Sequence, residues 1–342
     1  MKRLAAAAAG LVLLALLAGG FWIYRALEQP YGRFTAPEVF VEIPEGSGTA
    51  SMARRLTEAG VVRNETLFRA AVWVGRAGRR LQAGEYRFDR PASPREVVDR
   101  IARGDVYLRS ITFREGLTIR QMGALFEEKG FGPASAFLTA ASSPERIRAL
   151  DTAASDLEGY LFPDTYALPR KATADTLVDR MVAQARKALS TELLERAEGR
   201  GLSVRELVTL ASIVEKETGT AEERPLVAAV YSNRLRIGMG LQCDPTVIYA
   251  LERAGQYDGN IRRADLSIDS PYNTYRYAGL PPGPIAAPGR ASLEAAAAPA
   301  DVPYLYFVSR NDGSHAFAST LDEHNRNVRQ FQVQYFRDRR AP

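Results

Sequence analysis

The chain has 342 residues, of which 46% are hydrophobic and 25% charged, enough for one large domain or two modest ones. This composition excludes collagen-like, coiled-coil and intrinsically disordered proteins. The net charge of +5 is slight and the arginines are scattered, so nucleic acid is not an expected partner. Two histidines and one cysteine cannot form a disulfide within the chain or a structural zinc site, and we expect no metal and no cofactor.

The N-terminus carries an apolar segment that predicts a transmembrane anchor. After the basic residues 1–3 comes an uncharged stretch over residues 4–24, and about 20 apolar residues span a membrane as a helix. Aromatic residues at its far end, Phe21, Trp22 and Tyr24, suit the membrane–water interface. Basic residues stay in the cytoplasm, so residues 1–3 are predicted inside and the rest outside. A cleaved signal peptide is the alternative, although the run exceeds the usual length of about 7–15 residues.

A linker is predicted over residues 25–40, followed by a region over 41–150 with an internal echo. Residues 41–60 and 111–130 align without gaps, and each copy runs from a strand through a Glu-Gly pair into a short amphipathic helix ended by Gly60 or Gly130. Such β-α units resemble the LysM carbohydrate-binding module, although neither copy has the usual Gly-Asp-Thr-Leu turn. A packing unit used twice and a glycan-binding module both remain open.

Longer helices are predicted from residue 151 to 335, a region that we interpret as a catalytic domain. Ser203 and Glu206 form a capping-box pattern at the start of the clearest helix. The end of the chain predicts a hairpin, with strands 304–309 and 315–318 joined by Asn311-Asp312-Gly313. The predicted fold is α+β, with an N-terminal transmembrane helix, small LysM-like β-α modules and a larger mixed domain. Its predicted helices cover residues 173–189, 191–198, 203–218, 224–236 and 244–251, with a last one near Leu321.

Two carboxylates of the helix over 203–218 point toward its apolar side. At 100° per residue, Glu215 falls at the edge of the apolar arc and Glu217 on its other flank, whereas Lys216 faces solvent. Buried acidic groups are rare unless they are paired. They could form salt bridges to arginines such as Arg224 or Arg234, or one could be a general acid whose pKa is raised by burial. Periodicity does not choose between the two glutamates.

Two loop segments beyond this helix carry residues suited to sugars. Ser270–Tyr277 combines Tyr, Asn and Thr, which offer flat apolar faces and hydrogen-bonding edges, although ordinary surface turns look similar. Asp244 precedes Pro245 at a helix start, so its role could be purely structural. The proline-rich stretch over 280–289 is stiff enough to form a groove wall at low entropic cost.

Five long motifs occur in one order between residues 158 and 325. They are EGYLFPDTY (158–166), ASIVEKET (211–218), LQCDPTVIY (241–249), SPYNTYRYAGLPPGPI (270–285) and GSHAFASTLDEHN (313–325). Together with the apolar N-terminus they make the chain similar to the endolytic murein transglycosylases of bacteria, the MltG family, over nearly its whole length. The chain departs from the family at Cys243, where a small hydroxyl residue is usual, within an intact Leu-Gln-x-Asp-Pro-Thr frame.

The resemblance implies both the reaction and the site residues. The first Glu of the Ile-Val-Glu-Lys-Glu stretch, Glu215, would be the catalytic acid/base that cuts the β-1,4 bond between N-acetylmuramic acid and N-acetylglucosamine. The muramyl 6-hydroxyl would attack the anomeric carbon and close a 1,6-anhydro ring. Glu217 would support the site. We predict substrate binding by Gln242, Asp244, Thr246, Tyr272, Asn273, Tyr275, Asp164 and Tyr166.

The resemblance also implies a location and partners. These are the bacterial inner membrane, with the catalytic domain outside it, nascent peptidoglycan strands as substrate, and cell-wall synthases nearby. A lysozyme-type muramidase is the nearest alternative and would need a second carboxylate, which Asp164 or Asp244 could supply. A non-catalytic wall-binding scaffold is the alternative from another class.

Overall fold

The computed structural model describes residues 2–338, which form two compact units. One contains the chain up to Arg109 together with Pro169–Lys171, and the other contains Ser110–Leu168 and the chain from Ala172 onward. Met1, predicted to be cytoplasmic, lies outside the described residues. The predicted boundary near residue 150 differs from this division, because residues 110–150 contribute to the core of the second unit.

A long N-terminal helix, α1, covers Lys2–Glu28. Its Gly10–Glu28 stretch has a mean hydropathy of 1.8 and is almost entirely exposed, which is compatible with a single-pass membrane anchor. The helix enters the segment predicted as a linker, since residues 25–29 contain neither Gly nor Pro and the first proline is Pro30. Its last turn packs on the first unit, where Leu27 is 2% exposed and Arg95 forms a 3.1 Å ion pair with Glu28.

The first unit has the element order strand, helix, helix, strand, followed by one more helix. β1 pairs antiparallel with β2, and Val41 lies opposite Tyr86 in the core. Ser93 and Glu96 form a capping box at the last helix. The second helix, α3, was not predicted from the sequence. The elements are β1 (Val39–Ile43), α2 (Thr49–Glu58), α3 (Glu65–Val74), β2 (Gly84–Phe88) and α4 (Pro94–Arg103).

The second copy of the echo repeats this order across the unit boundary and into the second unit. β3 (Leu108–Thr112) pairs with β4 (Thr165–Pro169), and α5 (Ile119–Glu128) and α6 (Ala134–Ala141) lie between them in the chain. Gly46 and Gly116 occupy the same turn, with φ of 74° and 77°, which explains the Glu-Gly pair in each copy. The strand–turn–helix prediction is confirmed for both copies, and the LysM assignment stays a prediction.

The rest of the second unit is mainly helical. α9 lies at its centre and packs against α8, α10, α11 and α12. The predicted hairpin is confirmed as β5 (Tyr306–Ser309) and β6 (His315–Ala318), whereas α12 was not predicted. A π-helical stretch over Arg329–Gln334 leads to the last turn, Tyr335–Asp338. The helices are α7 (Ala174–Ala188), α8 (Thr191–Glu198), α9 (Val204–Glu217), α10 (Arg224–Arg236), α11 (Asp244–Ala254), α12 (Arg290–Ala297) and α13 (Leu321–Val328).

Candidate active site

The site lies at the C-terminal end of α9. The predicted capping box is present at the start of this helix, where the Ser203 hydroxyl accepts from the Glu206 N–H and the Glu206 carboxylate accepts from the Ser203 N–H. Leu207, Leu210 and Val214 are fully buried along one side. This fixed helix carries Glu215 in its last turn, so packing along α9 sets the position of that carboxylate.

The Glu215 carboxylate is held by three donors, and its side chain is only 6% exposed. Its Oε2 accepts from the Gly289 N–H at 2.9 Å and from the Ser292 hydroxyl at 2.7 Å. Its Oε1 lies 3.4 Å from Nη2 of Arg224. Arg224 also donates through Nε to the Ser292 hydroxyl at 3.1 Å. The salt bridge to Arg224 considered from the sequence is therefore present, as one part of a larger network.

The proline-rich stretch and α12 bring these donors to Glu215. The Ser212 hydroxyl, one turn before Glu215, accepts from the buried N–H of Ile285 at 3.0 Å. Gly289 is the N-cap residue of α12, which then presents Ser292 on its first turn. The stretch is thus bonded to α9 beside Glu215, and its junction with α12 carries the contacts. Its role as a groove wall stays a prediction.

A second carboxylate, Glu115, lies beside Glu215. Its Oε2 is 3.7 Å from the same Nη2 atom of Arg224, and its side chain is 47% exposed. Burial and the neighbouring Glu215 charge raise the pKa of Glu115, against the lowering effect of Arg224. Glu115 was not predicted as a site residue from the sequence. The only signal was its place in the internal echo, directly before Gly116, and that signal concerned the turn.

Glu217 occupies a different, buried position. Its Oε1 accepts from the Tyr231 hydroxyl at 2.9 Å and from the Cys243 thiol at 3.1 Å. Burial raises the pKa of Glu217 and, well above its usual range, that of the Cys243 thiol. Cys243 is therefore a packing and hydrogen-bonding group in this niche, joining α9 to the start of α11. These bonds join Glu217 to α10 and to the start of α11, and its supporting role at the site stays a prediction.

Three predicted substrate-binding residues are exposed near this niche. The Tyr275 hydroxyl donates to the Asp244 carboxylate at 2.6 Å, and Asp244 is the first residue of α11, with Cys243 as its N-cap. Gln242 has a φ of 49°, and its backbone N–H donates to the Thr274 carbonyl at 3.2 Å. The Gln242 side chain is exposed. These groups line one surface beside the C-terminal end of α9.

Two others, Thr246 and Asn273, are fully buried and use their polar atoms within the protein. The Thr246 hydroxyl pairs with that of Thr274 at 2.9 Å. The Asn273 amide donates to the carbonyls of Leu266 and Ile268, at 3.0 and 2.9 Å. These bonds hold the loop that carries Tyr275. Thr246 and Asn273 would therefore contribute to a binding surface indirectly.

The remaining predicted residues lie at other places in the unit. The Tyr272 ring packs against that of Tyr249 with centroids 4.9 Å apart and planes tilted by 59°, and Arg253 lies over the Tyr272 ring. Asp164 accepts from the Thr165 N–H at 2.7 Å and from the Gln184 amide at 3.2 Å. Tyr166 is buried, and its hydroxyl donates to the Phe162 carbonyl at 2.7 Å. Within residues 2–338, no three His, Cys, Asp or Glu side chains are grouped to hold a metal ion.

The fold and the site define an α+β protein in which two carboxylates, those of Glu115 and Glu215, contact the Arg224 guanidinium at the C-terminal end of α9. Residues 41–330 match the YceG-like family. The chain belongs to this family.

Curated relatives and a solved structure extend this similarity. The chain is 33% identical over 329 residues to the endolytic murein transglycosylase of Bacillus subtilis, covering 91% of this chain and 90% of the relative. It is also 33% identical over 355 residues to the endolytic murein transglycosylase of Streptococcus pneumoniae, of which it spans 63%. A crystal structure of a yceG-like protein of Listeria monocytogenes superposes with a TM-score of 0.58 at 31% identity, covering 84% of this chain and 98% of that one.

Proposed function

We propose that this chain is an endolytic murein transglycosylase. It is an enzyme of the lytic transglycosylase class, and its substrate is peptidoglycan. It cleaves the β-1,4 bond between N-acetylmuramic acid and N-acetylglucosamine in nascent strands, leaves a 1,6-anhydro end and so terminates strand elongation. The family membership over residues 41–330 and the names of the relatives support the class. The observation that carries the site is the Glu215 carboxylate, nearly buried and aligned by the Gly289 N–H, the Ser292 hydroxyl and Arg224.

In the proposed reaction, Glu215 acts first as acid and then as base. It donates a proton to the glycosidic oxygen as the bond to the anomeric carbon breaks. The resulting carboxylate then takes the proton of the muramyl 6-hydroxyl, whose oxygen bonds to the anomeric carbon. The nucleophile belongs to the substrate, so proximity replaces a bound water. Three donors from two segments hold the Glu215 side chain in one orientation, which such a double transfer requires.

The exposed groups beside α9 are the best candidates to bind the sugars. Gln242, Asp244 and Tyr275 present polar atoms on one surface, and Tyr275 adds an aromatic face. Thr246 and Asn273 shape this surface from beneath. For Tyr272, Asp164 and Tyr166, binding remains a proposal inherited from the family resemblance.

The test is digestion of purified glycan strands by the full chain and by Glu215→Gln, with the fragments weighed. We expect the wild type to produce anhydro ends and the variant to lose about 10²–10⁴-fold in rate, since a single acid/base contributes that much. Glu198→Gln, which changes an exposed carboxylate at the end of α8, is the matched control and should cleave normally. An active Glu215→Gln enzyme would falsify the assignment.

A lysozyme-type muramidase is a second candidate, and one observation favours it. Glu115 supplies the second carboxylate that hydrolysis needs, whereas Asp164 and Asp244, considered from the sequence, are bonded elsewhere. The same digestion separates the two reactions. Hydrolysis adds a water molecule at each cut, so its reducing ends are about 18 Da heavier than the anhydro ends of the transglycosylase reaction.

We further propose that α1 anchors the enzyme in the bacterial inner membrane, with the catalytic unit outside, close to the synthases that polymerise the strands. The exposed apolar surface of α1 supports the anchor, and its basic start supports the orientation. The LysM-like region would add a glycan contact. If the catalytic unit fused to a soluble carrier gave identical strand lengths in cells, the role of the anchor would be refuted.

A further inference from the structure

Hydrogen bonds of the backbone around Gly116 hold Glu115 beside Glu215. The Gly116 N–H donates to the Ala287 carbonyl at 2.8 Å, and the Ala287 N–H donates to the Leu117 carbonyl at 2.9 Å. Lys216 also donates to the Gly116 carbonyl at 3.2 Å. The turn that carries Glu115 is therefore bonded on one side to the proline-rich stretch and on the other to α9.

The Glu115 side chain extends toward the start of α12, which also contacts Glu215. Its carboxyl lies against the α-carbon of Gly289, where any side chain would overlap it. Gly289 donates its N–H to Glu215, and Arg224 contacts both carboxylates. Glu115 is the open member of the pair, 47% exposed, whereas Glu215 is 6% exposed.

The charges around Glu115 come from two helices. α9 contributes Glu215 and, through the bond to the Gly116 carbonyl, the Lys216 ammonium, while α10 contributes Arg224. α12 contributes the neutral Ser292 hydroxyl. Two carboxylates thus share one close guanidinium, and neighbouring like charges disfavour the state in which both are ionised. Burial first, and then the Glu215 charge, raises the pKa of Glu115, whereas Arg224 lowers it.

We propose that Glu115 is a positioning residue of the transglycosylase reaction. Its negative charge, at the same Arg224 guanidinium, favours the protonated form of the Glu215 carboxyl. This inference rests on the proposed function, in which Glu215 must start each cycle protonated. Glu115 acts through Glu215 and is not itself the group that transfers the proton to the sugar.

The test is the pH dependence of kcat/KM for anhydro-end formation, measured on the full chain. In Glu115→Gln, we expect the alkaline limb of the profile to move to lower pH by about one unit. On that limb kcat/KM should fall roughly tenfold, since one pH unit there is a factor of about ten, and on the acid side it should change little. Arg224→Gln removes the shared positive charge and should move the limb the other way.

Glu45→Gln is the matched control, because Glu45 occupies the same turn before Gly46 in the first copy and is exposed. It should leave the profile unchanged. Glu115→Asp keeps the charge and should retain most of the wild-type limb, a readout that does not depend on how well the glutamine variant folds. A uniform loss at every pH, or an unmoved limb in Glu115→Gln, would overturn the inference.

The Glu215→Gln variant separates the two proposals. If it is inactive while Glu115→Gln shows a wild-type profile, the inference about Glu115 fails and the proposed function stands. If Glu215→Gln still forms anhydro ends, the assignment of the acid/base fails, whatever Glu115 does.

Discussion

Glu158 is a buried carboxylate that the proposed reaction does not use. Its oxygens accept from the Ile119 N–H at 3.1 Å, at the start of α5, and from the Tyr249 hydroxyl at 3.2 Å. Burial raises its pKa to about 8, and the hydrogen bonds only partly oppose this. The residue therefore ties α5 to α11, and its ionisation is coupled to folding.

The sign of this coupling gives a testable pH dependence. Between the ordinary pKa of a glutamate and about 8, the folded protein binds the proton and the unfolded chain does not. Stability is therefore greater at low pH and falls as pH rises, by at most about 1.4 kcal/mol per pH unit. Denaturant unfolding of the second unit by far-UV circular dichroism at pH 5 to 8 measures this slope.

Glu158→Gln is expected to flatten the slope, because the amide keeps an acceptor for Ile119 and has no proton to lose. Other buried carboxylates, such as Glu217, titrate in both proteins, so the difference between the two curves isolates Glu158. Equal slopes in wild type and variant would show that Glu158 is ionised in the folded protein at these pH values.

At the scale of elements, the start of α12 joins the two carboxylates of the site. Gly289 has a φ of −78°, which any residue adopts, so its need for glycine comes from the Glu115 carboxyl that lies against it. Gly289→Ala should push the Glu115 side chain out toward solvent while leaving the N–H bond to Glu215. We expect its pH profile to move in the same direction as that of Glu115→Gln, with stability lowered by up to about 1 kcal/mol, because alanine is a poorer N-cap residue than glycine.

Kinetics of Gly289→Ala across pH, together with its thermal unfolding, check this expectation. Gly48→Ala is a suitable control, since Gly48 is likewise the N-cap residue of its helix and has open space around its α-carbon. A wild-type profile in Gly289→Ala would mean that Glu115 keeps its place by another route.

At the scale of the whole molecule, α1 combines a membrane-length apolar surface with a buried last turn. Leu27 is part of the core of the first unit, and Tyr31 pairs with Ala92 just beyond the helix. The exposed part of the anchor should therefore be removable without unfolding this unit, whereas the last turn should not.

Removal of residues 1–24 is expected to give a protein that leaves the membrane fraction yet unfolds like the full chain and cuts isolated strands normally. Removal of residues 1–31 also deletes Leu27, whose loss from the core costs about 2–5 kcal/mol. Thermal unfolding followed by far-UV circular dichroism compares the stability of both truncated chains with that of the full chain. A soluble 1–31 deletion with unchanged stability would contradict this description of α1.

Local signals in the sequence determined most elements. Capping residues and a 3.6-residue apolar period located α7 to α11 to within a few residues, and Asn311-Asp312-Gly313 located the hairpin. α3, α6 and α12 were not predicted. Two of them, α6 (Ala134–Ala141) and α12 (Arg290–Ala297), are rich in alanine, which weakens the contrast between their faces. β4 was not predicted either, since a short strand is defined by its partner, β3.

The sequence by itself determined the anchor-like start, the repeated strand–turn–helix unit, the helix that carries Glu215 and, through its motifs, the family. The tertiary structure decided which side chains meet. Glu115 precedes Glu215 by a hundred positions, and tertiary bonds of its turn to Ala287 and to Lys216 bring the two carboxylates onto one guanidinium. Periodicity reports which face of an element is buried, whereas a site depends on contacts between elements distant in the chain, and these depend on how the elements pack.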